Sequence, residues 1–203
     1  MKLIQRVQDI LFHPGEAWHV IDTEASSASD LYKSYIMPLA AIGPICSFIG
    51  LSFVGISIPF VGTYRVPIGL SLGSAVTSYI LTLLGVFVLA LIINGLAPYF
   101  QAQPSTHQAL KVATYSSTPA WIAGIFSLLP WFGILGLLLS LYSLYILYLG
   151  LPVLMKSPQE KALRYTAVVV VTALAISIII AFISHKFIGM PQISVQHGPT
   201  PSP

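Results

Sequence analysis

LSLGSAVTSYILTLLGVFVLALIINGLA, residues 70–97, runs for 28 positions without an Asp, Glu, Lys or Arg. About twenty apolar residues in a helix cover the hydrocarbon core of a bilayer, so this run reads as a membrane crossing with room to spare. Working outward, uncharged runs of the same kind occupy 35–58, 133–154 and 165–183, and a shorter one lies at 118–129. The whole chain is 56% hydrophobic and 7% charged, with a mean hydropathy of +0.85. A soluble globule carries about 25% charged residues, so that class is excluded. The runs are continuous and lack the in-out alternation of barrel strands, which points to an all-α integral membrane bundle.

Positive charge sets the number of crossings. Residues 118–154 are too many for one crossing and a tight fit for two, and Pro130, Trp131 and Gly133 stand where a turn would be needed. Five crossings from a cytoplasmic N-terminus leave Lys2, Arg6, Lys33, Lys111, Lys156, Lys161 and Arg164 inside and only Arg65 and Lys186 outside. Fusing 118–154 into one crossing would move Lys156, Lys161 and Arg164 outside and erase the bias that cytoplasmic loops normally carry. The expected division is a cytoplasmic amphipathic segment and linker at 1–34, a five-span domain at 35–188, and a disordered external tail at 189–203, rich in Pro, Ser, Gly and Thr.

The first 34 residues are broken by Asp9, Glu16, Asp22, Glu24 and Asp30, so the first span acts as its own uncleaved insertion signal in the inner membrane. Leu3, Val7, Ile10 and Leu11 fall at helical spacing, with Gln5, Arg6 and Gln8 on other faces. That pattern predicts a short helix lying on the membrane surface, with Trp18 as an interfacial anchor; docking to a membrane or cytoplasmic protein is the alternative. Residues 22–30 read as a solvated linker. Basic residues flank membrane segments and do not cluster, which excludes nucleic acid as a partner and leaves the lipid bilayer as the certain one.

In the third span, Ser105 and Gln108 have capping-box spacing, and Lys111 is expected to snorkel to the interface. Pro119 breaks this helix beside Ser116, Ser117 and Thr118. Ser71, Ser74, Ser78, Thr82 and Gly85 share one narrow face of the second span, a pattern for close helix packing. Gly69-Leu-Ser71-Leu-Gly73 matches the nucleophile-elbow string, but it opens an apolar helix with no acidic orienter on that side, so no catalysis is expected. Tyr142 and Tyr145 should turn toward other helices, and Asn94 with Gly95 should close the second span. No Asp, Glu, Lys, Arg or His lies in the uncharged apolar runs, which argues against proton or ion coupling. Lone Cys46, scattered histidines and the lack of phosphate-loop strings imply no disulfide, metal or other cofactor.

Several strings together resemble the bacterial branch of the Yip family, multispanning proteins whose eukaryotic members interact with Rab-type GTPases. They are Pro14-Gly-Glu-Ala-Trp18, Asp30-Leu-Tyr32 before Tyr35-Ile-Met-Pro38, Asn94-Gly-Leu-Ala-Pro98, Ala109-Leu-Lys111, Tyr115-Ser-Ser-Thr118-Pro119-Ala-Trp121, Tyr142-Ser-Leu-Tyr145 and Tyr148-Leu-Gly150. The resemblance implies five crossings, a cytoplasmic N-terminus and no enzymatic activity. The candidate interaction or cavity-lining residues are Trp18, Asp30, Tyr32, Asn94, Lys111, Tyr115, Thr118, Pro119, Trp121, Tyr142 and Tyr145. In the eukaryotic relatives Asp-Leu-Tyr continues as Gly-Pro, whereas Lys33 and Ser34 follow here. The expected function is that of a non-enzymatic scaffold that organises proteins or lipids. The alternative is a small channel or facilitative transporter with a path near the broken third helix. A reporter fused to the N-terminus should read as cytoplasmic and one fused to the C-terminus as external; a shared compartment would refute the odd number of crossings.

Overall fold

A computed structural model describes residues 3–58, 62–129 and 132–187, with side chains described except at 56–58, 62–64 and 179–187. Pro130 and Trp131, expected at a turn, and the tail at 189–203 lie outside the described residues. Two ten-residue helices come first, α1 (Leu3–Phe12) and α2 (Pro14–Thr23), with Pro14 in the first turn of α2, where its missing N–H costs nothing. A helical rod follows over Ala28–Val54, built from α3 (Ala28–Leu31), α4 (Met37–Ala40) and α5 (Ile42–Ile49). Two π-helical stretches, Tyr32–Ile36 and Gly50–Val54, interrupt it.

The rod ends at Val54, four residues earlier than the apolar run suggests. Gly55 adopts φ 83°, a left-handed conformation open to glycine, and returns its N–H to the Gly50 carbonyl at 2.7 Å. A two-stranded antiparallel hairpin follows, β1 (Ile56–Ile58) with β2 (Gly62–Tyr64). The fold is therefore helical with one small hairpin. Beyond it lie α6 (Ile68–Leu96), α7 (Thr106–Ser116), α8 (Thr118–Ala123), α9 (Gly133–Leu154) and α10 (Gln159–Phe187). Among the described residues, Ala28–Val54, Ile68–Phe100, Gly133–Leu154 and Gln159–Ile178 are long and apolar enough to cross a membrane.

The segment expected as the third span is broken. Ser105 caps α7 through the Gln108 N–H, as its spacing predicts, but the helix stops at Ser116. Pro119 stands in the first turn of α8, which passes into a tighter 3-10 coil at Gly124–Leu128. The hydroxyls of Ser116 and Ser117 donate to the Ala113 carbonyl at 3.3 and 2.7 Å, beside the Ser117 N–H that closes the last turn of α7. From end to end this segment runs antiparallel to α9. The Gln103 N–H donates to the Met155 carbonyl at 2.7 Å, the Ala120 N–H to Ser143 Oγ at 3.1 Å, and a Cβ on Gly136 would meet Phe126 Cβ at 3.6 Å.

The first rod and α6 are stitched in the same antiparallel sense. Tyr32 donates to the Leu83 carbonyl at 3.1 Å, Tyr79 to the Met37 carbonyl at 3.2 Å, and Ser52 pairs with Ser71 farther along. The coil after α8 lies against α5 with almost no space between backbones. A Cβ added to Gly124 would fall 2.5 Å from the Cα of Gly43 and 2.9 Å from its nitrogen. Small residues permit this approach, the usual route to helix contact in lipid, where apolar burial gives no drive. Outward, Leu135, Leu137, Leu138 and Leu141 of α9 and Leu70, Leu81 and Leu84 of α6 remain exposed, as surfaces facing hydrocarbon should.

Gly124→Val should therefore force the two segments apart at a cost of about 1–3 kcal/mol. In detergent its melting temperature should fall clearly, whereas Gly73→Ala, where an added Cβ meets nothing within 4 Å, should melt near the parent.

Candidate functional site

The polar chemistry of the chain gathers where the N-terminal helices meet the bundle. The α1–α2 pair does not lie free on a surface. Ile10, Ala17, Trp18 and Ile21 are buried in the main core, joined there by Arg6, which sits one turn before Ile10 on the same packed face. Trp18, expected as an interfacial anchor, is 0% exposed and seated flat on Gly150 of α9, where any Cβ would come within 2.5 Å of its ring. Its indole N–H donates to the Ile146 carbonyl at 3.2 Å, so both the apolar body and the polar handle of the ring are satisfied inside the protein.

Lys111 departs from expectation in the same way. Only 2% exposed, it does not snorkel outward. Its ammonium donates to the carbonyls of Ile21 at 3.1 Å and Glu24 at 2.6 Å, groups left without helical partners as α2 ends. A cation there also opposes the negative end of the helix dipole.

Residues 22–30, read from sequence as a solvated linker, are instead a hub. Asp22 accepts from Gln108 Nε2 at 3.3 Å and from Lys156 Nζ at 2.5 Å, and Glu24 pairs with Arg6. Most of residues 101–117 belong to α7, and the last eight residues of that helix, Ala109 to Ser116, are all buried. Tyr115 stands at the centre. Its ring makes edge contacts with Trp18 at 6.2 Å and Tyr35 at 4.8 Å, and the Arg6 guanidinium lies 5.8 Å from its centroid. The Tyr35 hydroxyl shares a 2.9 Å hydrogen bond with Thr118 at the helix break.

The remaining candidates scatter. Asp30 is exposed and closes a capping box with Ser27, and Tyr32 is spent on Leu83. Asn94 does not end the second span. The helix runs on to Leu96 and a 3-10 turn stopped by left-handed Gln101, while the Asn94 amide donates to Thr106 Oγ1 at 3.3 Å. Tyr142 donates to the Leu11 carbonyl of α1 at 3.0 Å, not to the Ser/Thr stripe of α6. Tyr145 is 50% exposed in an apolar groove between α9 and α10. Ser47, Ser71, Ser74, Ser78 and Thr82 border a cleft of about 300 Å³ closed on one side by Trp121. Ser71 is 2% exposed and bonded to Ser52 and to the Pro67 and Ile68 carbonyls, the setting of a packing residue.

Sequence reading missed Arg6, Asp22, Glu24 and Gln108 as members of the polar junction. One signal was available: Arg6 and Ile10 are separated by four residues and so share a helical face.

The family model described as Yip1 domain matches residues 9–182, which takes in all four long helices and the junction except Arg6 and the start of α1. The chain belongs to the Yip1 domain family. The inner membrane protein YohC of Escherichia coli, in two strains alike, is 27% identical over 180 residues, covering 87% of this chain and 90% of the relative. No solved structure matches the chain. The four apolar helices make this family member a multi-pass membrane protein.

Lys111→Met would leave the Ile21 and Glu24 carbonyls without their donor, at about 1–3 kcal/mol. Limited proteolysis should then cut the α1–α2 pair faster than in the parent. Trp18→Ala should go further, at about 3–5 kcal/mol, while Lys156→Ala, which removes only a surface pair, should change the cleavage rate little.

Proposed function

We propose that this Yip1 family chain is a non-enzymatic inner membrane protein that organises proteins or lipids around the folded junction at its N-terminal end. The observation that carries the reading is that α1 and α2 are locked into the bundle through Trp18, Lys111 and Arg6. A pair so fixed presents its outer side as a rigid surface. On that side Ile4, Phe12 and Val20 are exposed apolar residues on otherwise polar helices, a composition suited to a protein partner or the bilayer surface. The name of the Escherichia coli relative supports placement in the inner membrane.

Five crossings are part of the proposal. The broken segment from α7 to Leu128 follows α9 along its length, which supports its reading as the third crossing, shortened in regular helix but complete in path. The N-terminus then lies in the cytoplasm, and the junction, with Lys111, Lys156 and Arg6, falls on the side where positive residues belong.

Because Ile10, Trp18 and Ile21 are core residues, deleting the N-terminal helices would unfold the protein and test nothing. Phe12→Glu alters only an exposed side chain. Crosslinking in membranes should recover a stable partner with the parent and lose most of it with Phe12→Glu at equal expression. Solute flux in proteoliposomes, blunted by Ser78→Leu and indifferent to Phe12→Glu, would overturn the scaffold reading.

A further inference from the structure

Between α1, residues 24–26 and the start of the first rod lies a cleft of about 410 Å³, within the range of small-ligand sites. Arg6 forms one wall and is 4% exposed. One edge of its guanidinium is occupied, since Nη2 donates to Glu24. Nη1 is buried and has no hydrogen-bond partner, and the same holds for Ser26 Oγ in the same cleft. Folded proteins leave few buried polar groups unpaired, and an unpaired charged donor is the most costly kind. The guanidinium cannot relieve the cost by losing its proton. Its plane is also held in place between Glu24 and the Tyr115 ring, so an unpaired donor edge is fixed in the wall of the cleft, where a ligand must displace its close neighbours slightly to reach it.

A fixed Arg edge with a neighbouring hydroxyl suits a phosphate oxygen pair. A bare anion, however, would meet the carboxylates of Glu24 and Asp30 in the same cleft. The charge pattern therefore favours a ligand with a phosphate at one end and a hydrogen-bonding cation at the other. Leu3 and Leu31 add apolar wall, and the cleft lies where the first rod begins, at the end of a helix long and apolar enough to cross a membrane. We propose that this cleft binds the headgroup of an aminophospholipid, with the phosphate on Arg6 Nη1 and Ser26 Oγ and the primary ammonium toward Asp30. The inference rests on the lipid-and-protein-organising reading and names the lipid chemistry for it.

Ser26→Ala is the discriminating variant, because the Ser26 hydroxyl holds no protein group and its loss leaves the fold intact. Full-length protein in detergent, offered equal amounts of phosphatidylethanolamine, phosphatidylglycerol and phosphatidylcholine, would be assayed by native mass spectrometry for retained lipid. Phosphatidylethanolamine should be retained preferentially, and O-phosphoethanolamine should displace it better than inorganic phosphate. Ser26→Ala should lower retention roughly three- to tenfold with an unchanged lipid-free melting temperature, the size expected for one hydrogen bond. Arg6→Lys, which keeps the charge but loses the fork, should lower it as well. Equal retention of the three lipids, inorganic phosphate competing as well as the amine ester, or retention indifferent to Ser26→Ala and Arg6→Lys would each overturn the proposal. Partner recovery with the Phe12 variant is read separately, so failure of the headgroup site and failure of the scaffold reading are distinguishable.

Discussion

An ammonium group taken out of water has to be surrounded by oxygen, and in this chain the oxygens belong to the backbone at the end of α2. Lys111 sits on the carbonyls of Ile21 and Glu24, and that pairing decides where the N-terminal helices go. With α2 held at its C-terminal end, Trp18 falls onto Gly150, and α1 is carried over Tyr115 and within reach of the Tyr142 hydroxyl. Removing the lysine would expose the core face of two helices at once. A lysine in α7 and a glycine in α9 thus act together, although neither has an unusual sequence context.

The membrane part of the fold rests on a different economy. Apolar side chains gain nothing from leaving lipid for one another, so helices associate where backbones can approach and where hydroxyls can bond across the gap. Gly43 against Gly124 serves the first purpose; Tyr32, Tyr79 and the Ser52–Ser71 pair serve the second. At the break, Ser117 donates to the Ala113 carbonyl and Thr118 is bonded to Tyr35, so its hydroxyls are spent inside the bundle.

Polar residues at the junction form a graded set. Asp22 with Lys156 is a surface pair of small worth, Lys111 donates to two carbonyls, and Arg6 keeps one buried terminal nitrogen without a partner. That gradient separates groups that hold the fold from a group with capacity to spare. The Yip1 domain match takes in Trp18, Asp22, Glu24, Lys111 and Lys156 but stops short of Arg6.

Composition and charge alone determined that this chain is a helical membrane protein, where its long apolar helices lie, and that Ser105 opens α7. These properties follow from local hydropathy, backbone capping and the cost of charge in lipid, each legible in a short window. The tertiary structure decided what such windows cannot hold. Trp18 and Lys111 each looked like residues bound for the membrane surface, because an amphipathic helix has the same pattern whether it covers lipid or protein. Only Gly150, 132 positions beyond Trp18, makes the indole a core residue. Asp22 and Glu24 looked solvated for the same reason, since their partners Arg6, Gln108 and Lys156 arrive from three separate elements.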